Sequence, residues 1–262
     1  MNFIFDLDGT ICFKGQPISA SILDLLLELE QDGHGVGFAS ARPCRDMMPV
    51  LDERFNNHLL IGANGAMTYY GGEPLGFTPL PAALAEEIIR ILNDAQAEYL
   101  VDGKWNYAHN LKSHHPLLLH VDPLQSASRV GLEQIESFIK IVVLSCPDFE
   151  QLSASLKGLD VTIHHHSTEG ILDITYKGVN KMSALEQFGQ YGEKFICFGN
   201  DMNDLPLFQK AFHSVLIGNY EPLLHIAKEQ IMLDDQVEQN IVSKLRELRS
   251  LYARDTNAAS AV

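Results

Sequence analysis

The chain opens on Phe3-Ile4-Phe5, and this apolar run stops at Asp6-Leu7-Asp8-Gly9-Thr10. So short an apolar run, without polar interruption, suits a strand buried on both faces of a parallel sheet. Ligands of open α/β sheets bind beyond the carboxyl ends of such strands, which is where Asp6 and Asp8 stand. Two carboxylates at close range repel each other, so the pair wants a cation. Oxygen ligands of this kind suit Mg²⁺. Gly9 lets the backbone turn sharply away from the strand.

The segments that follow keep alternating. Ser19-Ala20-Ser21 precedes Ile22, Leu25, Leu26 and Leu29 at helical spacing, and Gly33 closes a capped amphipathic helix. Gly35 to Ser40 reads as a second strand, and Pro43 stands where helices begin. Leu59-Leu60-Ile61 is a third strand ending at Asn64-Gly65, and Tyr69-Tyr70-Gly71-Gly72 marks a hairpin. The rhythm resumes late, with a helix from Val179 to Tyr191, a strand from Phe195 to Phe198 and a helix from Asp204 to Lys210. A strand at Val215-Leu216-Ile217 and a helix from Gln236 to Tyr252 complete it. This order specifies an α/β fold on a parallel sheet.

The middle of the chain behaves differently. Pro79 and Pro81 punctuate its start. A helix from Ala82 to Asn93 leads to strands near Tyr99–Val101 and Trp105–Tyr107, then to an irregular run rich in His and Pro. A strand at Phe138–Leu144, a helix at Phe149–Leu156 and a strand pair, Val161–His165 with Ile171–Thr175, follow. The expected division is a core domain of residues 1–80 plus 177–254, an inserted α+β domain of 81–176 with its own core, and a tail at 255–262.

The net charge of −15 excludes a basic nucleic-acid-binding face. It also repels anionic substrates at long range, so a phosphorylated ligand would need a metal and a few placed cations. No apolar run is long enough to span a bilayer, and the start lacks the basic and apolar regions of a signal peptide, so the expected compartment is the cytoplasm. Cys12, Cys44, Cys146 and Cys197 show no CxxC or zinc spacing and read as reduced, mostly buried thiols.

Asp6-Leu7-Asp8-Gly9-Thr10 resembles the first motif of the haloacid dehalogenase (HAD) superfamily, and the resemblance runs through nearly the whole chain. It implies a doubly wound, Rossmann-like core with an inserted α+β cap. It also implies that Asp6 attacks phosphorus and that Asp8 is the general acid and base. An acid at Asp8 argues against the halide-removing branch. Phe38-Ala39-Ser40-Ala41-Arg42 is similar to the Ala-Thr-Gly-Arg of Cof-like phosphatases, with Ser for Thr and Ala41 for Gly. By that match Ser40 holds a phosphate oxygen, and Ala41 and Arg42 lie at the phosphate. Asn64-Gly65-Ala66 resembles the same subgroup, and Asn64 either reaches the substrate or shapes the loop. Lys181, which follows Gly178-Val179-Asn180, matches the Lys that pairs with the nucleophile and phosphate; Lys177 is the competing candidate.

The last motif, Gly199-Asn200-Asp201-Met202-Asn203-Asp204, departs from the family's Gly-Asp-x-x-Asn-Asp. Asn200 stands where a metal-binding Asp is usual. An amide oxygen binds Mg²⁺ without adding charge, so affinity should fall, and Asp201 could compensate. By position the metal set is Asp6, Asp8, Asn200 and Asp204, with Asn203 near the phosphate.

The resemblance implies that the cap closes over the site and contacts the leaving group. Lys104, Trp105, His109, Lys112, His114 and His115 are the cap candidates for specificity; His164 to His166 read as strand surface. The expected activity is a Mg²⁺-dependent phosphatase of small phosphorylated metabolites, sugar phosphates foremost. The rivals are a phosphomutase or other phosphotransferase, and a binding protein weakened at its metal by Asn200.

Overall fold

The computed structural model describes residues 1–166 and 170–253 of the chain; the tail expected at 255–262 lies outside them, as do the side chains of His165 and His166. In chain order the first part of the core comprises β1 (Asn2–Phe5), α1 (Ala20–Gln31), β2 (Gly35–Ala39), α2 (Cys44–Met47), β3 (Leu59–Gly62), β4 (Met67–Tyr70) and β5 (Glu73–Phe77). The insertion supplies α3 (Ala82–Asp94), β6 (Glu98–Asp102), β7 (Tyr107–His109), β8 (Lys140–Ser145), α4 (Phe149–Leu156), β9 (Val161–His166) and β10 (Ile171–Tyr176). The chain then returns through α5 (Lys181–Gln187), β11 (Phe195–Gly199), α6 (Leu205–Lys210), β12 (His213–Ile217), α7 (Glu221–Leu224), β13 (Glu229–Ile231) and α8 (Val237–Leu251).

Eight strands form the core sheet in the order β13-β12-β11-β1-β2-β3-β4-β5. The run from β13 to β3 is parallel, and β4 and β5 add an antiparallel edge. Burial on both faces of the sheet explains the apolar run Phe3–Phe5 in β1. Phe3 and Phe5 pack with α1 and α8 on one face, while Ile4 packs with α5 and α6 on the other. β1 is central, so its carboxyl end, where Asp6 follows, opens at the middle of the sheet.

The insertion folds as a second sheet of five antiparallel strands, β7-β6-β8-β10-β9. Its two faces differ in chemistry. Tyr99, Val101, Ile141, Val143, Leu172 and Ile174 bury against α3 and α4 in a separate apolar core. The alternate positions include Asp102, Lys140 and Asp173, which bond to Arg45, Ala41 and Asn64 of the core domain. The polar face of the cap therefore lies on the core, toward the strand ends.

Several sequence expectations shift. The strand expected at Trp105–Tyr107 starts at Tyr107, because Gly103 N–H bonds to the Asn106 carbonyl (2.9 Å) and puts Trp105 in a turn. The helix expected from Val179 begins at Lys181, where the Asn180 side chain accepts from Ser183 N–H (2.9 Å), and ends at Gln187 before a 3₁₀ turn. Strand β13 has too little apolar sequence to be read in advance; Glu229 in it pairs with His213 and Lys244. His164 is not plain strand surface: it lies opposite Asp173 and so shares the cap's core-facing side, half-buried. Among the described residues no helix is long and apolar enough to cross a membrane. Cys12, Cys44 and Cys197 are buried, Cys146 is half-buried, and all four are free.

Candidate active site

The site is built from three loops at the carboxyl ends of β1, β2 and β11, with a fourth after β3. Beyond β1 the chain coils at once: the N–H groups of Thr10, Ile11 and Cys12 converge on the Leu7 carbonyl (3.1, 3.0 and 2.8 Å). Gly9 sits at φ +76°, and a Cβ there would overlap the Asn200 amide, so the turn needs glycine for both reasons.

Asp6 lies buried at the centre. Its Oδ1 accepts from Lys181 Nζ (2.6 Å) and its Oδ2 from Thr10 Oγ1 (2.9 Å). Lys181 is fully buried and also donates to Asp204 Oδ1 (2.7 Å). The other Asp204 oxygen accepts from the N–H groups of Asn200 (2.9 Å) and Asp201 (3.2 Å). Asp204 thus anchors Lys181 and shapes the loop, with both oxygens taken. Burial pushes the Asp6 carboxyl up to about 7; Lys181 opposes that rise, and Asp204 and Asp8 add to it. The ammonium of Lys181 is held above its ordinary range by the two carboxylates, against the cost of burial.

Asp8 faces another way. Its carboxylate receives a bidentate Arg42, Nε to Oδ2 at 2.7 Å and Nη2 to Oδ1 at 2.6 Å, at a half-exposed mouth. Arg42, expected at the phosphate, is here a partner of Asp8. The Asp8 main-chain carbonyl points inward instead. The Asn200 amide can face this carbonyl either way: its oxygen accepts from Thr10 Oγ1 (3.2 Å), or, with the amide turned over, its nitrogen donates to the Asp8 carbonyl (3.2 Å), to Asp6 Oδ2 (3.1 Å) and to Thr10 Oγ1 (3.2 Å). Asp201 accepts from Met202 N–H (2.7 Å) and caps the next turn, so it does not substitute for Asn200 at Asp6.

The donor set fits a hard cation. An Asp6 oxygen, the Asp8 carbonyl and the Asn200 amide meet at one point, and with the amide oxygen turned inward the set is all oxygen. The acidic side chains alone do not make the set. With Asp8 turned to Arg42 and Asp204 fully engaged, no three His, Cys, Asp or Glu converge as a metal site among the described residues.

Ser40 is buried at the end of β2, its Oγ accepting from Arg42 N–H (3.1 Å). The Ala41 carbonyl accepts from Lys140 of the cap (2.7 Å). Asn64 is fully buried and its side chain is spent: Nδ2 donates to Asp173 (2.8 Å) and Oδ1 accepts from Asn203 (3.0 Å). Of its two readings, loop shaping is therefore the one the geometry favours, and Asn203 is likewise tied to Asn64. Gly65, at φ +103°, has no room for a Cβ against the Asn180 carbonyl, so it shapes the approach of α5 that delivers Lys181. Lys177 is exposed and pairs with Asp160 (2.9 Å), away from Asp6.

A profile of the haloacid dehalogenase-like hydrolases matches residues 3–241. The chain belongs to this family. As a HAD hydrolase it is of the Cof-like phosphatase type, a phosphoric monoester hydrolase. It is 28% identical over 271 residues to an HMP-PP phosphatase of Serratia proteamaculans, covering 95% of each chain. To an HMP-PP phosphatase of Yersinia pseudotuberculosis it is 26% identical over 255 residues, 91% of each. Among solved structures it resembles a sugar phosphatase of HAD subclass IIB, with TM-score 0.77 and 19% identity over 94% of this chain and 98% of that one. A haloacid dehalogenase-like hydrolase from B. subtilis superposes with TM-score 0.76 at 20% identity, over 95% and 100%.

The cap candidates scatter. Lys104 lies over the Phe77 ring (5.5 Å), and Trp105 packs by Tyr69 and donates to the Ser126 carbonyl (2.9 Å). His115 caps a 3₁₀ turn at Leu117 N–H, and Lys112 and His114 are exposed. His109 shares the core-facing side of the cap with Asp173, through Leu100 and Val142 in register. The cap residues that reach the site loops, Lys140 and Asp173, were not among the candidates. The one sequence signal for Asp173 was a carboxylate inside the apolar run Leu172–Ile174.

Proposed function

We infer that this HAD hydrolase cleaves small phosphorylated metabolites by a Mg²⁺-assisted reaction through an aspartyl-phosphate on Asp6. The observation that carries this is the setting of Asp6, a buried carboxylate at a strand end, oriented by Lys181 at 2.6 Å and Thr10 at 2.9 Å. Lys181 is itself pinned by Asp204, so its charge is aimed before substrate arrives. The names of the relatives, HMP-PP phosphatase and sugar phosphatase, support a small phosphorylated substrate.

Mg²⁺ would be held by Asp6, the Asp8 carbonyl and Asn200, and when bound it neutralises phosphoryl charge. The protein's own residues do the rest. Asp6 attacks phosphorus in line and the bond to the leaving oxygen breaks. That oxygen takes a proton from Asp8, whose side chain turns inward from Arg42 to deliver it. Water, giving its proton back to Asp8, then attacks phosphorus and frees Asp6 and inorganic phosphate. Ser40 and Lys181 hold the phosphoryl oxygens throughout. Phosphate monoesters resist water so strongly that positioning and charge must supply nearly all the rate.

The test is phosphate release from p-nitrophenyl phosphate with Mg²⁺ and with EDTA. Wild type should turn over only with metal. Asp6→Asn should be inactive with unchanged circular dichroism; substantial activity in that variant rejects the assignment. Transfer of phosphate to a second sugar, with none released to water, would favour a phosphotransferase.

A further inference from the structure

Two buried ion pairs lie at the contact of cap and core: Arg45–Asp102 crosses it, whereas Lys140–Asp173 lies within the cap and bonds onward to the core. Arg45 on α2 meets Asp102 (2.6 Å), donates to the Trp105 carbonyl (2.9 Å) and lies over the Tyr107 ring (5.0 Å). None of these partners belongs to a catalytic loop. Lys140 and Asp173 instead reach the loops of the site. Lys140 Nζ donates to the Ala41 carbonyl (2.7 Å) and to Asp173 Oδ2 (3.2 Å). The same Asp173 oxygen accepts from Asn64 (2.8 Å), and Asn64 accepts from Asn203 (3.0 Å). One cap carboxylate thus touches the loop after β2 through Lys140 and the loop after β11 through Asn64 and Asn203.

All four side chains are buried. A buried pair of this kind gives little net stability over apolar side chains of similar size, so glue alone does not account for it. The core side of the contact is also strained. Ala63 and Asn64 both lie in the left-handed region, at φ 51° and 56°. They are stitched to the phosphate loop by Ala63 N–H to the Arg42 carbonyl (2.7 Å) and Asn64 N–H to the Ser40 carbonyl (3.0 Å). Contacts from the cap complete the set of bonds that holds this turn.

We propose that Lys140 and Asp173 are positioning residues through which seating of the cap sets the geometry of the Ser40–Arg42 loop and of Asn64 and Asn203. They touch no reacting atom and act through Ala41 and Asn64. The inference rests on the reading that the Ser40–Arg42 loop holds the phosphoryl group. It makes chemistry depend on a seated cap without any cap side chain entering the reaction.

The test uses the full chain with Mg²⁺, p-nitrophenyl phosphate as substrate and inorganic phosphate as competitive inhibitor. Lys140→Met, Asp173→Asn and their double variant are compared with Asp102→Asn, which breaks the other buried pair. The first two should lose about tenfold to a hundredfold in kcat/KM, the scale of a small misplacement of reacting groups. Their inhibition constant for phosphate should rise, the double variant should be less than additive, and Lys140→Arg should recover part of the loss. Asp102→Asn should lower the melting temperature yet keep the phosphate constant. The proposal is overturned if all these variants lose activity in step with melting temperature, or if phosphate inhibition is unchanged in both Lys140→Met and Asp173→Asn. Should Lys140→Met fail to fold, Asp173→Asn, which keeps its shape, carries the comparison. Turnover by Asp6→Asn would remove the underlying reading and this inference with it. An inactive Asp6→Asn beside normal Lys140→Met and Asp173→Asn would overturn this inference alone.

Discussion

Replacing Lys181 by Met isolates the electrostatics of the site. The side chain is fully buried and its ammonium bonds to Asp6 at 2.6 Å and Asp204 at 2.7 Å. Met fills much of the same volume, so the main loss is the charge that offsets two buried carboxylates. Removing one partner of a buried pair costs about 3–5 kcal/mol, a large share of the roughly 5–15 kcal/mol that holds a typical domain together. The cost depends on pH in a defined sense. Without Lys181 the main influence opposing burial at Asp6 is gone, and that carboxyl already sits above its usual range. The folded variant then binds protons that the unfolded chain releases above about pH 4, so its stability rises as pH falls toward 5. Wild-type Lys181, raised above its ordinary value, keeps its contribution across this window and loses it only in strongly alkaline solution. Guanidinium denaturation in EDTA at pH 8 and pH 5 measures both values. The expected result is a loss of about 3–5 kcal/mol at pH 8 that shrinks clearly at pH 5. Lys181→Met/Asp204→Asn should recover about 1 kcal/mol or more at pH 8, because one stranded charge is gone. A loss under about 1 kcal/mol, or an equal loss at both pH values, would refute this account of the site.

Three further outcomes are expected. Asp6→Asn should be more stable than wild type at pH 8 in EDTA, with the gap closing as pH falls from about 7 toward 4, since wild-type Asp6 is destabilising only while ionised; thermal melts across that range check the sign. Asn200→Asp places a second carboxylate beside Asp6 and the neutral Asp8 carbonyl. The metal-free melting temperature should therefore fall, its rise on adding Mg²⁺ should grow, and half-maximal rate should need less metal; an unchanged Mg²⁺ response would show that Asn200 is not a ligand. Gly65→Ala forces a Cβ against the Asn180 carbonyl in a left-handed turn, and should cost about 1–3 kcal/mol and displace Lys181; denaturation and phosphatase rate should fall together.

Much of the architecture could be read in advance because it is written in local pattern. The apolar run before Asp6, the helical spacing of Ile22 to Leu29 and the strand-helix order specify a parallel sheet with β1 inside it. Edges were harder to read. β13 has only Ile231 buried, and its place follows from pairing with Val215, Leu216 and Ile217 rather than from its own composition. Trp105 looked like a strand residue on aromatic content, but the Gly103–Asn106 turn decided otherwise. The direction of a side chain was harder still. Asp8 was assigned to the reacting side by motif position, and Asn64 was left between substrate and loop; Asp8 turns to Arg42 and Asn64 to Asp173.

The sequence alone determined where the carboxylates cluster, since a strand end and a glycine turn place Asp6, Asp8 and Thr10 through covalent neighbours. It also gave the expectation of a cation there. Only the tertiary structure decided which charge faces which. Lys181 joins Asp6 across 175 residues, and Asp173 joins Asn64 across 109. The physical reason is desolvation: once buried, each polar group must find whatever partner the packing brings within reach, and nothing in the neighbouring sequence names it.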